Sequence, residues 1–177
     1  MSSDTERFIN SLESRFEYSI YKTDKFRDEV TFYVKKDKFL PFCKSLYKEF
    51  GFTYLVDVTA VDYLRYKTPR YEVVYILHSF GEEYGRNIRI RVKVELKDND
   101  LNIASVTGIW KGANWLEREV FDMFGIKFTG HPDLRRILMP EDYPLHPLRK
   151  DFDVRDRKAS KECFENELEK GLGNGKG

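Results

Sequence analysis

Cysteine is nearly absent from this 177-residue sequence: Cys43 and Cys163 stand alone, 120 positions apart. Two isolated thiols supply no CxxC redox motif, no zinc finger and no iron–sulfur ligand set from this chain alone. The simplest environment for them is a reducing one in which both stay free. Long apolar runs are missing too, since the longest, Val73–Leu77, falls far short of the roughly 20 residues that cross a bilayer. Met1–Arg7 carries acids where a signal peptide needs a basic start and then an apolar stretch, and no Arg-rich, acid-poor transit sequence takes its place. Nor is there an excess of one charge. The 31 basic and 30 acidic residues leave +1, which argues against a dedicated nucleic-acid binder or a polybasic anchor but leaves room for a local patch. No GxGxxG follows a strand-like segment, and neither a P-loop nor a GxSxG occurs, so nucleotide and serine-hydrolase chemistry lack support.

What is present describes a globular protein with a heavily ionised surface. Charged residues make up 34% of the chain, against an average of about 25%. The length allows one ordinary domain and a tail, with roughly 70% of the unfolded surface buried. Residues 4–16 read as an amphipathic helix with Phe8, Leu12 and Phe16 on one face and Asp4 as its cap. Glu29–Val34 has strand composition. A helix follows over about 38–50, with Asp37 as N-cap, Pro41 in its first turn and Gly51 as its stop. From Gly51 the period falls to two: Tyr54–Ala60 alternates, Tyr71–Phe80 is almost wholly apolar, and Ile88–Leu96 alternates without a miss. Gly81–Gly85 is expected to turn the last two into an antiparallel hairpin. A third helix, 114–124, presents Leu116, Val120, Met123 and Phe124 as one stripe and ends at Gly125.

The expected class is therefore α+β: an antiparallel sheet of about four to five strands with helices packed on one face. Beyond Gly125 periodicity stops, and four of the six prolines fall within residues 132–147. Proline forbids helix or central strand there, yet Phe128, Leu134, Ile137, Leu138, Met139, Tyr143, Leu145 and Leu148 are large and apolar. This is an extended, Pro-rich arm that needs a surface to lie on. The expected organisation is a domain over 1–125, a partner-binding arm over 126–152, and a charged, flexible tail over 153–177.

Candidate chemistry is sparse. Glu117, Glu119 and Asp122 could act as a general acid and base if their environments split their pKa values; a solvated face or ion pairs with Arg118 is the simpler reading. His131, Asp133 and His146 match no metal-ligand spacing. His78, inside an apolar strand, reads as a satisfied structural histidine. Arg86, Arg89, Arg91, Lys93 and Lys97 form the best basic patch, and a small nucleic-acid-binding module using strand 86–97 is the alternative reading. That strand sets no aromatic side chains among its charges to stack bases. A docking surface fits the arm better, because Trp, Tyr and Arg dominate interface energies.

The run Trp115-Leu116-Glu117-Arg118-Glu119-Val120-Phe121-Asp122-Met123-Phe124-Gly125-Ile126, then Gly130-His131-Pro132-Asp133-Leu134-Arg135-Arg136-Ile137-Leu138 and Pro147-Leu148-Arg149-Lys150-Asp151-Phe152, resembles a family signature. It is that of the C-type, 30-kilodalton subunit of the proton-pumping NADH:quinone oxidoreductase, respiratory complex I. The resemblance is dense over 117–152. It implies a non-catalytic structural subunit of the peripheral arm that binds no flavin, cluster, metal or quinone itself, with FMN and iron–sulfur clusters in partner subunits. It further implies packing beside the homologue of the D-type subunit and a peripheral position on the cytoplasmic face of a bacterial inner membrane. The residues expected at the partner interface are Trp115, Glu117, Arg118, Glu119, Asp122, His131, Arg135, Arg136, Tyr143, Arg149, Asp151 and Phe152. The charged members on the helix make ionic contacts within the domain or across to the partner, and the later ones anchor the arm.

Overall fold

The computed structural model describes residues 3–27, 29–80, 88–155 and 157–173. In chain order the elements are α1 (Ser3–Arg15), β1 (Ile20–Phe26), β2 (Glu29–Val34), α2 (Phe39–Glu49), β3 (Tyr54–Asp62), β4 (Tyr71–Ser79), β5 (Ile88–Leu96), β6 (Asn102–Ala104), α3 (Ala113–Phe124), β7 (Lys127–Thr129) and α4 (Lys158–Gly173). The five long strands form one sheet in the order β1-β2-β5-β4-β3, and β6 pairs with β7 in a separate two-stranded sheet. The α+β class is as expected.

The sheet is mixed rather than wholly antiparallel. The pairs β1–β2, β3–β4 and β4–β5 are antiparallel, but β2 runs parallel to β5, with Phe32 opposite Val92. The reason lies in the connection. Helix α2 and two further strands separate β2 from β5 in sequence, and a crossover of that length is what a parallel neighbour requires. Strand β1 escapes a periodicity reading because Ile20-Tyr21-Lys22-Thr23-Asp24-Lys25-Phe26 buries almost nothing at this sheet edge.

Alternation decides which face is dry. Val30, Phe32 and Val34 of β2, Tyr71, Val73, Tyr75 and Leu77 of β4, and Ile88, Ile90, Val92, Val94 and Leu96 of β5 join one buried cluster. Phe8, Ile9 and Leu12 of α1, Phe39, Phe42, Cys43 and Leu46 of α2, and Val120, Met123 and Phe124 of α3 complete it. Burying a large side chain of this kind is worth about 1.5–3 kcal/mol, so this single core holds the helices to one face. The other face is an ion lattice. Arg89 and Arg91 reach Glu29 at 2.5 and 2.6 Å, and Lys93 reaches the buried Glu72 at 2.8 Å. Burial raises the Glu72 carboxyl, but the neighbouring Lys67 and Lys93 outweigh it and hold it below the usual range.

Four local expectations change. A 3₁₀ turn over Lys36–Lys38 precedes α2, so Asp37 lies within that turn and Lys38 takes the cap position. His78 is not satisfied: its ring stacks on Phe80 with centroids 4.2 Å apart, and its buried Nε2 has no hydrogen-bond partner among the described residues. The segment after 153 contains α4. Asp4 lies within α1, which begins at Ser3, rather than ahead of it, and the Gly81–Gly85 turn and Arg86 lie outside what is described.

Candidate functional site

Helix α3 carries the chemistry of the site. It stops where Gly125 adopts a left-handed φ of +73°, its N–H donating to the Phe121 carbonyl at 2.8 Å. Only glycine takes that turn at low cost. The turn reverses the chain, and after β7 the arm returns along the same helix. What ties it there is a set of hydrogen bonds from one face and the C-terminal end of α3.

Asp122 is the centre. It is fully buried, and its Oδ2 accepts the backbone N–H groups of Ile137, Leu138 and Met139 at 3.0, 2.7 and 2.9 Å. Its Oδ1 accepts from Arg136 Nη1 at 2.6 Å. Burial pushes the Asp122 carboxyl up, but the three backbone donors and the guanidinium outweigh that and hold it below the usual carboxylate range. Three consecutive N–H groups in a Pro-rich strap have no sheet or helix to satisfy them, and a buried anion supplies the acceptor. Arg118 works in the opposite sense: its Nε and Nη2 donate to the carbonyls of Arg135 and Arg136, both at 3.1 Å. One cation and one anion, a helical turn apart, thus grip successive peptide units.

The downstream part of the arm is fastened to the end of the helix. His146 Nδ1 donates to the Asp122 carbonyl at 2.9 Å, Leu148 N–H to the Met123 carbonyl at 3.1 Å, and Arg149 Nε to the Phe124 carbonyl at 2.6 Å. These are the orphan carbonyls that every helix C-terminus leaves open. Burial holds the His146 imidazole below its ordinary value, with Arg149 and Arg136 adding to that and the Asp122 carbonyl opposing it. Farther on, Lys150 N–H donates to buried Asp62 at 2.8 Å, and Arg70 spans Asp62 and Asp151 at 2.6 and 3.1 Å.

Glu117 faces away from the arm. It is fully buried and accepts from Ser105 Oγ and Val106 N–H, both at 2.7 Å. Burial raises its carboxyl to about 7, against the pull of those two donors. Tyr143 is buried with its hydroxyl 3.3 Å from Ser160 Oγ of α4, and Arg136 lies 6.0 Å from the centre of its ring. His131 Nδ1 accepts the Asp133 N–H at 3.1 Å, so its other nitrogen is free to donate to the Asn114 carbonyl at 3.2 Å. Arg135 pairs with exposed Asp133, Phe152 is half-buried, and Glu119 is exposed. Among the described residues, no group of three or more His, Cys, Asp or Glu side chains gathers where it could hold a metal ion.

The strap is therefore pinned by its backbone and its polar side chains, and open at several of its apolar ones. Leu134 and Met139 pack on the chain's own core and Phe128 is buried. Leu138 is 62% exposed and Leu148 52%, with Ile137 and Leu145 exposed beside them. Trp115, 62% exposed, stands on α3 under the Arg118 guanidinium, 5.1 Å from its ring centre. Sequence reasoning picked out these residues but not the division of labour among them. It also passed over Asp62 and Arg70, because nothing in the spacing of a strand residue or loop arginine signals a bond to a segment some 80 positions away, and Ser105, whose partner Glu117 lies 12 positions on across a change of element.

Fold and site together define an α+β scaffold carrying an outward-facing apolar strap on its third helix. Residues 32–158 match the family described as respiratory-chain NADH dehydrogenase, 30 Kd subunit. The chain belongs to that family. It is 42% identical over 151 residues to the C-type subunit of the NADH-quinone oxidoreductase of Geobacter sulfurreducens, covering 85% of this chain and 91% of that one. Over 112 residues it is 51% identical to NADH-quinone oxidoreductase subunit 5 of Thermus thermophilus, covering 61% of this chain and 54% of that one. Among solved structures, a trypsin-resistant fragment of Nqo5 superposes with a TM-score of 0.63 at 34% identity, covering 74% of this chain and 99% of the fragment. A chain of the membrane-bound sulfane sulfur reductase, an archaeal respiratory membrane complex, superposes at 0.74 and 26% identity, covering 90% of this chain and 91% of that one.

Proposed function

We propose that this chain is a non-catalytic structural and assembly subunit of the peripheral arm of an NADH:quinone oxidoreductase. In this reading residues 1–125 form the scaffold, 126–152 dock on a neighbouring homologue of the D-type subunit, and 153–177 follow as a charged tail. Flavin and iron–sulfur clusters belong to other subunits, and the membrane, at its cytoplasmic face, is reached only through the complex.

One observation carries the proposal. Every described polar anchor of the arm is satisfied within the chain, while Leu138 and Leu148 stay largely exposed. Evolution of a buried carboxylate to hold three consecutive amides makes sense if the side chains they carry must be presented in a fixed row. Pre-organisation of this kind lowers the entropy lost on association. The reading in which strand 86–97 binds nucleic acid has less to stand on, because Arg89, Arg91 and Lys93 are matched by Glu29 and Glu72.

The test is affinity purification of the tagged chain from its native source, followed by mass spectrometry of what co-elutes. Wild type is expected to bring down quinone-oxidoreductase subunits, and the double substitution Leu138→Asp/Leu148→Asp to lose them with the unfolding temperature of the isolated chain unchanged. Equal recovery by both proteins contradicts the docking role.

A further inference from the structure

The loop joining β3 to β4 and the chain just after β5 enclose an open cavity of about 550 Å³. Its wall holds Arg65, Tyr66, Lys67, Arg70, Lys97 and Asp98, four cations against one acid. Two of these cations are already committed. Lys67 is bound by Glu72 and Glu95, and Arg70 by Asp62 and Asp151. Arg65 and Lys97 are exposed and make no ion pair among the described residues. Between them Tyr66 is 88% exposed, an aromatic ring with a polar tip held out to solvent. Exposed Tyr beside Arg is the composition that interface centres favour.

The position of this concave surface gives it meaning. Arg70 forms part of its wall and, 3.1 Å from Asp151, also clamps the end of the arm. Lys150 N–H is bound to the same Asp62 that Arg70 pairs with. The end of the arm, at Lys150 and Asp151, and the basic hollow thus meet at Arg70.

We infer that this hollow receives an acidic segment of the same protein on which the arm docks, with Arg65 and Lys97 as its counter-charges and Tyr66 packed against it. The inference rests on the docking reading above. Charges at the rim of an interface steer and select more than they hold, so the apolar row supplies adhesion and the hollow supplies register.

The test uses the purified complex, washed at stepped sodium chloride concentrations, with the fraction of this chain retained measured at each step. Because R65E/K97E sets like charges against that acidic segment, we expect a retained fraction about tenfold lower than wild type at low salt, converging with wild type as salt rises. R65K/K97R should behave as wild type. Neither side chain is paired within the described chain, so the unfolding curve of R65E/K97E should match wild type. If R65E/K97E is retained like wild type at every salt concentration while Leu138→Asp/Leu148→Asp is lost, the hollow is not a docking point and the arm reading stands. If Leu138→Asp/Leu148→Asp is itself retained, the arm reading fails, and this inference with it. Phosphatidylcholine vesicles containing phosphatidylglycerol separate a lipid from a protein. Sedimentation of wild type but not R65E/K97E with those vesicles, with release from the complex unchanged, overturns the inference in favour of a membrane surface.

Discussion

Replacing Asp122 by Asn probes the arm without touching its exposed leucines. The carboxylate takes four hydrogen bonds, three from backbone N–H groups and one from Arg136. A bond to a charged acceptor contributes about 1.5 kcal/mol or more net, and four of them act as one network. Non-additivity within that network reduces the sum to about 3–5 kcal/mol. Asparagine keeps one acceptor oxygen but turns an NH₂ toward donors. The freed amides can reach water if the strap lifts from α3, so the loss appears as local opening and leaves the core largely folded. At 1.4 kcal/mol per factor of ten, exchange protection of the Ile137, Leu138 and Met139 amides should fall about 10²- to 4 × 10³-fold, while amides of β4 and β5 change little. The same anchor has a pH signature. Because the folded-state carboxyl is held below its ordinary 3.8, its stabilisation is complete above that value. It is lost as pH falls below 3.8 and through the depressed value. Native-state hydrogen exchange read by mass spectrometry measures both effects. Protection at 137–139 within about threefold of wild type would refute the claim that this carboxylate fastens the arm.

Glu117 has the opposite sign. Its folded carboxyl is raised from 4.5 to about 7, so the native state binds more protons than the unfolded chain between those values. Stability therefore declines as pH rises from 4.5 to 7 and levels above it, by on the order of 3 kcal/mol. Glu117→Gln should flatten that component in a pH series of denaturant melts, and parallel curves for the two proteins would contradict it. Gly125→Ala combines a left-handed φ of +73° with a Cβ that meets Arg149 Nη2 and His146 Nε2. It should cost about 2 kcal/mol, seen as a lower midpoint in thermal denaturation. Arg118→Ala removes the donors to two arm carbonyls and should weaken co-purification more than the melting of the isolated chain. Equal loss of monomer stability with unchanged co-purification would count against that role.

The sheet and its wet and dry faces were legible because alternation is a local signal: Ile88–Leu96 is read correctly residue by residue. Helices α1, α2 and α3 were legible for the same reason, through their apolar stripes and the glycines that end α2 and α3, whereas α4 was not. What stayed hidden was long-range. The parallel pairing of β2 with β5 depends on which hairpin α2 delivers to which edge, and β1 lacks a buried face to announce it. In the site, the contacts of individual residues were not legible, since Glu117 and Asp122 both read as helix-face acids one turn or so apart. The fold sends Glu117 to the β6 side and Asp122 to the arm, and only three-dimensional packing makes that division.

If the arm docks as proposed, its leucines are presented for another protein to cover. Leu138→Cys, placed where the side chain is exposed while native Cys43 and Cys163 are buried, reports this directly through its rate of maleimide labelling. Labelling should be fast in the isolated chain and suppressed about tenfold or more in the assembled complex. Equal rates in the two states would mean that the row faces water in both, and that the strap is fastened for some purpose other than docking.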